Sequence, residues 1–507
     1  MDSTNAPTSG PLLRRQDGTP ATGCHLQGTP HVSPTATGGP ETGDAGRPDP
    51  MAQRRRWVFV LLALTAAGFS IAPIRNHLLV TPWSEPITHD STIWHLVGES
   101  FRANKLLNKD YTLWYFVAEI ERANGHLYPH EPFPFPFMYP PSCAALLALI
   151  SFGGETAFVV VLTLLQSAAW FAAVLLSVYL ATGRFRGQDP LLYLVPSLCV
   201  IPFIHDMYLL GQPNLGLLAL MLGALACLRI GRPYAAGSLV ALAAGIKAFP
   251  IMALGWLIYR GYHKATAAVG VGLVVLLLVL PAGLFRGVDR AVDDLVTWTR
   301  GMVLKYDADT IAQRPDRSYS FKNQSIIAVG NRLLRPVLAD GEANKQWRVN
   351  LATLDFKAVN AVIVLSAGLL CGFYLATMPR RARRTPRSDA AEAGVLLLLI
   401  TMFSPLSFNY AYVWMIYPLT VALHAALSAP EGSRERAVLF AWIGAAVAVF
   451  ALAIPFPRVA QAYGNLPIPF PRVAQAYGNL FASGLILLIG LGLLTRRWAA
   501  PAVPAVS

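Results

Sequence analysis

Two ionisable residues, Asp90 and Lys247, lie beside or inside apolar runs, and both are of types that do chemistry. Asp90 follows the first hydrophobic stretch and precedes the amphipathic run STIWHLVGESF. A carboxylate held at a bilayer surface can take the proton from an attacking hydroxyl. It can equally cap the helix predicted there, by accepting from the free N–H groups of the first turn. Lys247 interrupts an apolar run at Lys247-Ala248-Phe249-Pro250. An ionisable residue in such a run is costly and points to a function. It lies thirteen residues beyond Tyr234, about 20 Å of helix at 1.5 Å per residue, which carries an ammonium most of the way across a bilayer. There it can meet a phosphate, helped by the N-terminal dipole of the helix predicted after Pro250. Snorkelling to the headgroups is the other reading.

Other polar residues cluster at the edges of apolar runs. Tyr139 closes the aromatic, Pro-rich stretch FPFPFMYPP, which reads as a rigid interfacial segment or as a wall beside a site. Gln212 and Asn214 follow Gly211, where capping is the simpler role. Lys322, Asn323, Gln324, Arg332 and Arg335 give FKNQSIIAVGNRLLRP a basic face, suited to lipid phosphates or to a bound one. Its apolar spacing predicts a short helix lying on the membrane. Asn409 and Tyr410 end the run SPLSFNY, and His89 neighbours Asp90. His205-Asp206 is a second acid–base pair to consider.

The elements that must position these residues are hydrophobic helices. Of the 507 residues, 54% are hydrophobic and 14% charged, and the mean hydropathy is +0.45, too apolar for an ordinary soluble domain. Apolar runs recur near 57–73, 142–153, 155–182, 190–206, 213–230, 234–258, 264–284, 356–378, 391–406, 410–428, 436–455 and 481–496. The run at 142–153 is too short to span a core about 30 Å thick. The run at 234–258 is broken at Lys247 to Pro250 into two half-length helices. These runs predict an all-α polytopic membrane protein of about 10–12 transmembrane or half-membrane helices. Residues 1–50, rich in Pro, Gly, Thr and Ser, read as a disordered tail, with Met51 as an alternative start; residues 51–500 read as the membrane domain, with outer loops 76–141 and 286–355.

The net charge of +13 resides in short Lys/Arg clusters between the runs, which indicates topology rather than nucleic-acid binding. Arg54 to Arg56 place the N-terminus in the cytoplasm. Arg184, Arg229, Arg260, Arg380 to Arg384, Arg434 and Arg496 then fall on the same side, and the C-terminus with them. Asp90, Tyr139, Gln212, Asn214, the 286–355 loop and Asn409 fall outside. The five cysteines show no ligand spacing, so neither a zinc site nor a disulfide framework is expected. Walker, GxGxxG, HExxH and GxSxG motifs are lacking. The copies of IPFPRVAQAYGNL at 454–466 and 468–480 read as one local duplication, not a solenoid.

The order of these features resembles glycosyltransferase family 87 of the GT-C superfamily. The motifs are an Asp in the first outer loop, Tyr139-Pro140-Pro141, GQPN at 211–214, Gly245-x-Lys247-x-x-Pro250, Asn323-Gln324-Ser325 and Ser404-Pro405-Leu406-Ser407. The resemblance implies a GT-C-like helical fold with an extracytoplasmic active site in a multi-pass cell-membrane protein. It implies transfer, with inversion, of a hexose or pentose, mannose first among them, from a polyprenyl-phosphate donor to a lipid or glycan acceptor. On this reading Asp90 is the catalytic base, while Lys247, Lys322 and Arg332 hold the donor phosphate. His89, Tyr139, Gln212, Asn214, Asn323, Gln324, Asn409 and Tyr410 complete the site. Members often carry a His after the SP-x-S run, where this chain has Phe408-Asn409-Tyr410. No cofactor and no metal site is implied, a divalent cation staying open; membrane lipids are partners and nucleic acids are not. A transporter or flippase of lipid-linked saccharides, or an inactive structural member of a cell-envelope assembly, is the alternative.

Overall fold

The computed structural model describes residues 50–79, 87–88, 90–93, 95–96, 110–129, 135–314, 317–340, 347–454 and 470–501. The expected tail lies outside these residues apart from Pro50, and so do 455–469, which carry most of the first copy of the duplicated segment. Among the described residues there is no β-strand, only isolated bridges at Thr92–His126, Tyr306–Ile311 and Asn323–Phe408. In lipid the backbone has no water to pair with, and a helix pairs its own N–H and C=O groups.

Helix α1 (Pro50–Leu79) follows the arginine cluster. After it, α2 (Asp110–Arg122) is amphipathic, burying Tyr111, Trp114, Phe116, Val117 and Ile120. Pro141 at the first helical position starts α3 (Pro141–Ile150), a ten-residue helix ended by a 3-10 turn at Ser151–Gly153. Gly154, at φ 83°, then redirects the chain into α4 (Gly154–Thr182). The run at 142–153 is therefore a separate short helix. Next come α5 (Pro190–Cys199) and α6 (Ile201–Leu210), bent by 63° at their junction, and α7 (Asn214–Arg229).

The break expected at Lys247 is present. α8 (Pro233–Ile246) ends where Lys247 turns extended, a 3-10 turn covers Phe249–Met252, and α9 (Ala253–Tyr259) returns. α8 packs closely on α10 (His263–Val274) because both contact faces are small. A Cβ at Gly237 would lie 2.2 Å from the Ala265 carbonyl, and one at Gly272 would lie 2.7 Å from Ala241 Cβ.

Residues 286–304 depart from the expected loop. α10 continues through π-helical turns at Val275–Val279 and Ala282–Arg286 into α11 (Gly287–Trp298) and a further π turn at Thr299–Leu304. The acidic and basic residues of VDRAVDDLVTW concealed an amphipathic helix whose apolar residues, Val288, Ala291, Val292, Leu295 and Val296, recur at three and four. The short helix expected in FKNQSIIAVGNRLLRP forms as α12 (Ile326–Leu334), capped by the Ser325 hydroxyl, which accepts from Ala328 N at 3.1 Å. Rather than only resting on lipid, it buries Ile326 against Val359 and Ile363 of α13 (Phe356–Thr377). The remaining helices are α14 (Pro386–Phe403), α15 (Ile416–Ser428), α16 (Arg434–Ala451), α17 (Phe470–Ala476) and α18 (Asn479–Arg497).

Six described stretches are long and apolar enough to cross a membrane, and the bent α5–α6 pair makes a seventh if counted as one span. The basic clusters meet one another at one end of the bundle. Arg229 donates to the Leu180 carbonyl, Arg260 pairs with Glu392 and donates to the Pro379 carbonyl, Arg384 reaches Tyr262, and Arg497 pairs with Glu435. The segments that carry Gly211, Lys247 and Tyr410 lie at the other ends of these helices.

Candidate active site

Gly211 sets the geometry. It leaves α6 at φ 79°, a conformation other residues rarely adopt, and a Cβ there would lie 3.2 Å from the Tyr111 ring. With that space free, Tyr111 docks and donates its hydroxyl to the Tyr208 carbonyl at 2.9 Å. Its chain neighbour Asp110, the first residue of α2, then accepts a hydrogen bond from Gln212 Nε2. The Gln212 Oε1 accepts from the Tyr139 hydroxyl at 2.8 Å, and the Tyr139 carbonyl accepts from Tyr128 at 2.6 Å. Asp110, Gln212 and Tyr139 thus form one chain of hydrogen bonds, half-buried at Asp110 and buried at Gln212 and Tyr139.

Lys247 approaches from the broken α8–α9 segment. Its Nζ lies 3.4 Å from Asn214 Oδ1 and 5.5 Å from the ring centroids of both Tyr139 and Tyr410, within cation–π range. The Asn214 carbonyl accepts from Trp414 Nε1 at 3.0 Å, which fixes its backbone, while its side-chain Nδ2 is buried without a partner. The Tyr410 hydroxyl makes no hydrogen bond among the described residues, and Asn409 Oδ1 accepts from the Tyr410 backbone N–H at 3.1 Å.

Two arginines complete the set. Arg314 donates to the Phe135 carbonyl at 2.8 Å, and Phe135 N in turn donates to the Gln313 carbonyl at 3.1 Å. Arg314, Arg317 and Lys247 all act electrostatically on Asp110. Burial pushes the Asp110 carboxyl above its ordinary range, and the Gln212 hydrogen bond with these three cations only partly opposes the shift. Burial and the neighbouring Arg317 pull Arg314 down to about 10, which leaves it cationic at neutral pH. Three cations act on one carboxylate, Arg317 from an exposed position, which leaves an excess of two positive charges when all are ionised, beside an unpartnered amide donor. Such a site is built to receive an anion.

The structure brings together Tyr139, Gln212, Asn214, Lys247 and Tyr410. Other expected residues lie elsewhere. Asp90 is an exposed turn residue beside Ser91, whose hydroxyl accepts from Thr88 N at 2.9 Å. In the next turn Thr92 Oγ1 accepts from His95 N at 3.3 Å. The carboxylate that reaches Gln212 and faces Lys247 is that of Asp110. His89 lies outside the described residues. Lys322 is exposed, with its ammonium 5.7 Å from the Phe321 ring. Arg332 is fully buried and donates to the carbonyls of Ser320, Asn323 and Ala476 at 2.8, 2.6 and 3.0 Å, so its guanidinium is used up within the protein. Asn323 and Gln324 are also fully buried and donate to backbone carbonyls. Among the described residues no three His, Cys, Asp or Glu side chains converge as metal ligands do. Asp110, Arg314 and Arg317 went unnoticed in the sequence. The first opens an amphipathic helix, which was the one available signal, and the arginines sit in irregular chain.

The pattern of glycosyltransferase family 87 matches residues 137–405, more than half of the 507 residues. The chain belongs to glycosyltransferase family 87. No curated protein matches it. The placement in the GT-C superfamily is consistent with the family and with the all-α, multi-pass architecture. Membership makes the protein a membrane glycosyltransferase, with a sugar donor and an acceptor. The matched span contains Tyr139, Gln212, Asn214, Lys247, Arg314 and Arg317, whereas Asp110 precedes it and Tyr410 follows it. The cluster is thus assembled by family 87 residues and by two side chains contributed from beyond the matched span.

Proposed function

We propose that residues 51–500 of this family 87 glycosyltransferase move a sugar, mannose first among the candidates, from a polyprenyl-phosphate donor to a lipid or glycan acceptor. The transfer takes place on the extracytoplasmic face of the cell membrane, with both termini cytoplasmic. Asp110 replaces Asp90 as the base. It takes the proton of the acceptor hydroxyl, whose oxygen attacks the anomeric carbon. The bond from that carbon to the phosphate oxygen breaks, the configuration inverts, and polyprenyl phosphate leaves with the bonding pair. Phosphate needs no strong general acid to depart, but charge grows on it, and Lys247, Arg314 and Arg317 stabilise that charge. Asn214 Nδ2 and the Tyr410 hydroxyl supply further donors.

The observation that carries this reading is the half-buried Asp110 carboxylate acted on by Lys247, Arg314 and the exposed Arg317. A phosphate offsets the excess of positive charge there, and it offsets more as the leaving group gains its second charge. A lipid donor also fits a chain without a Walker or GxGxxG nucleotide loop. The test is an assay of the purified protein in membranes, with radiolabelled polyprenyl-phosphate mannose against a nucleotide-linked mannose. Label should pass to a lipid or glycan acceptor from the first donor alone. Transfer directly from the nucleotide sugar would overturn the donor assignment.

A further inference from the structure

One buried charged group has no part in that chemistry. Arg286, at the end of the π turn before α11, pairs with Glu121 at the end of α2 and with Asp294 of α11. Its Nη1 also donates to the Gly125 carbonyl at 2.9 Å. All three side chains are buried, while Arg286 Nη2 and Glu121 Oε1 have no partner. Beside them Arg290 Nη1 lies 2.7 Å from His126 Nδ1. A buried ion cluster of this kind is a poor source of stability, because desolvating the charges cancels much of their attraction. Its effect is to admit one arrangement of the elements it joins.

Those elements lead to the two halves of the site. α2 carries Asp110 at its other end. α11 runs through Thr299–Leu304, where Gly301 packs against the Phe135 ring and its carbonyl accepts from Gln313 N at 2.8 Å; Arg314 is the next residue. Three π turns interrupt the helical track from α10 through α11. Gly287, at φ 70°, breaks its direction immediately after Arg286.

We propose that Arg286, with Glu121 and Asp294, is a positioning latch that sets Asp110 against Arg314 and Arg317. The latch rests on the reading of Asp110 as the base. It acts through the placement of α2, and misplacing a reacting group by about 1 Å can cost a hundredfold in rate.

Cys143 of α3 reports on the docking of α2 without any substrate. It is buried in the same apolar cluster as Trp114, Phe116 and Val117 of α2. The full-length protein is prepared with Cys24, Cys199, Cys227 and Cys371 changed to Ala, and Cys143 is labelled with N-ethylmaleimide. Glu121→Gln keeps the side-chain shape, so it is the variant safest for folding; Arg286→Met is the stronger change. Both should label Cys143 at least tenfold faster than the parent and lose at least tenfold in transfer. The acid limb of the pH–rate profile should also move down, because an Asp110 reached by water loses the burial that raises its pKa. The apolar triple Glu121→Leu, Arg286→Met, Asp294→Leu should slow labelling again and recover most transfer, as apolar replacements of buried ion clusters keep elements docked. The latch is overturned if folded Glu121→Gln leaves labelling and the acid limb unchanged. It is equally overturned if the triple protects Cys143 yet stays inactive, since the charges would then act in the chemistry itself. Labelling needs no donor, so failure of the polyprenyl-phosphate assay would count against the proposed function alone.

Discussion

Two buried polar clusters, both away from the basic end of the bundle, differ in how completely their cations are paired. Around Arg332, the guanidinium meets backbone carbonyls from two segments. Asn323 fills its whole capacity: its amide donates to the Ser318 and Pro405 carbonyls, and its oxygen accepts from Ser325 N and Ser407 N. Around Lys247, the ammonium has one long contact, Asn214 Nδ2 has none, and Tyr410 has no partner for its hydroxyl among the described residues. Sequence alone ranked Arg332 and Lys247 together as phosphate ligands. Their partners separate them, because a polar group already matched within the protein has nothing left for a substrate.

The largest effect should fall on stability. Arg332→Met removes the donor from several buried carbonyls, each costing about 1–3 kcal/mol when left unpaired. The expected loss is roughly 3 kcal/mol or more, read as a lowered unfolding midpoint in detergent, with donor affinity unchanged in the protein that remains folded. A well-folded Arg332→Met that binds donor poorly would return Arg332 to the site and erase the contrast. Exposed Lys322→Ala should change neither quantity.

Next in size is Asp110→Asn. Asn keeps the shape and the helix start, so the variant should fold and bind donor while transfer falls about a hundredfold or more, the scale of acid–base catalysis. Asp90→Asn should stay within a few-fold of the parent. The opposite pattern would put the base back in the exposed turn. The pH profile gives an independent check. Asp110 must be ionised to act and burial raises its pKa, so activity should fall with decreasing pH above the ordinary carboxylate range. An acid limb at an ordinary carboxylate value would indicate an exposed acid.

How much of this was legible follows from the same physics. Lys247, Gln212, Asn214 and Tyr139 could be chosen from the sequence because each breaks a local rule, being polar beside or inside an apolar run at a helix break. The all-α membrane architecture followed from composition and run length alone. Asp110 broke no rule, for an acid at the start of an amphipathic helix is ordinary. Only the tertiary contact of Tyr111 with Gly211, a hundred residues on, brings Asp110 to Gln212. Arg314 and Arg317 belong to irregular chain without periodicity. The 286–304 helix was missed because its charged residues were read as loop, although they line one side of a helix that also supplies Asp294 to the latch.

Within the Lys247 cluster, Lys247→Met should reduce donor use ten- to a hundredfold, about 1.5–3 kcal/mol for a hydrogen bond to a charged group. Lys247→Arg should keep part of it, since the charge persists but the planar fork does not match the space of an ammonium held between Tyr139 and Tyr410. The measurement is donor dissociation together with turnover. If both were unchanged in Lys247→Met, the lysine would be a structural cation like Arg332, only less well paired.

The smallest effect is the most specific. Tyr410→Phe removes one hydroxyl and leaves the ring that faces Lys247 and packs on Phe408. A buried tyrosine whose hydroxyl serves the fold would lose about 0.5–1.5 kcal/mol of stability on this change. Here the hydroxyl has no hydrogen-bond partner among the described residues, so stability should stay the same or rise slightly. Arg314 and Arg317 act electrostatically on that same hydroxyl. If it donates to the donor phosphate, donor affinity or turnover should drop by about two- to tenfold, the equivalent of one neutral hydrogen bond. Unchanged stability with reduced transfer would mark Tyr410 as a ligand. Reduced stability with unchanged transfer would place it with Arg332 and Asn323, and would limit the unmatched donors of the cluster to Lys247 and Asn214.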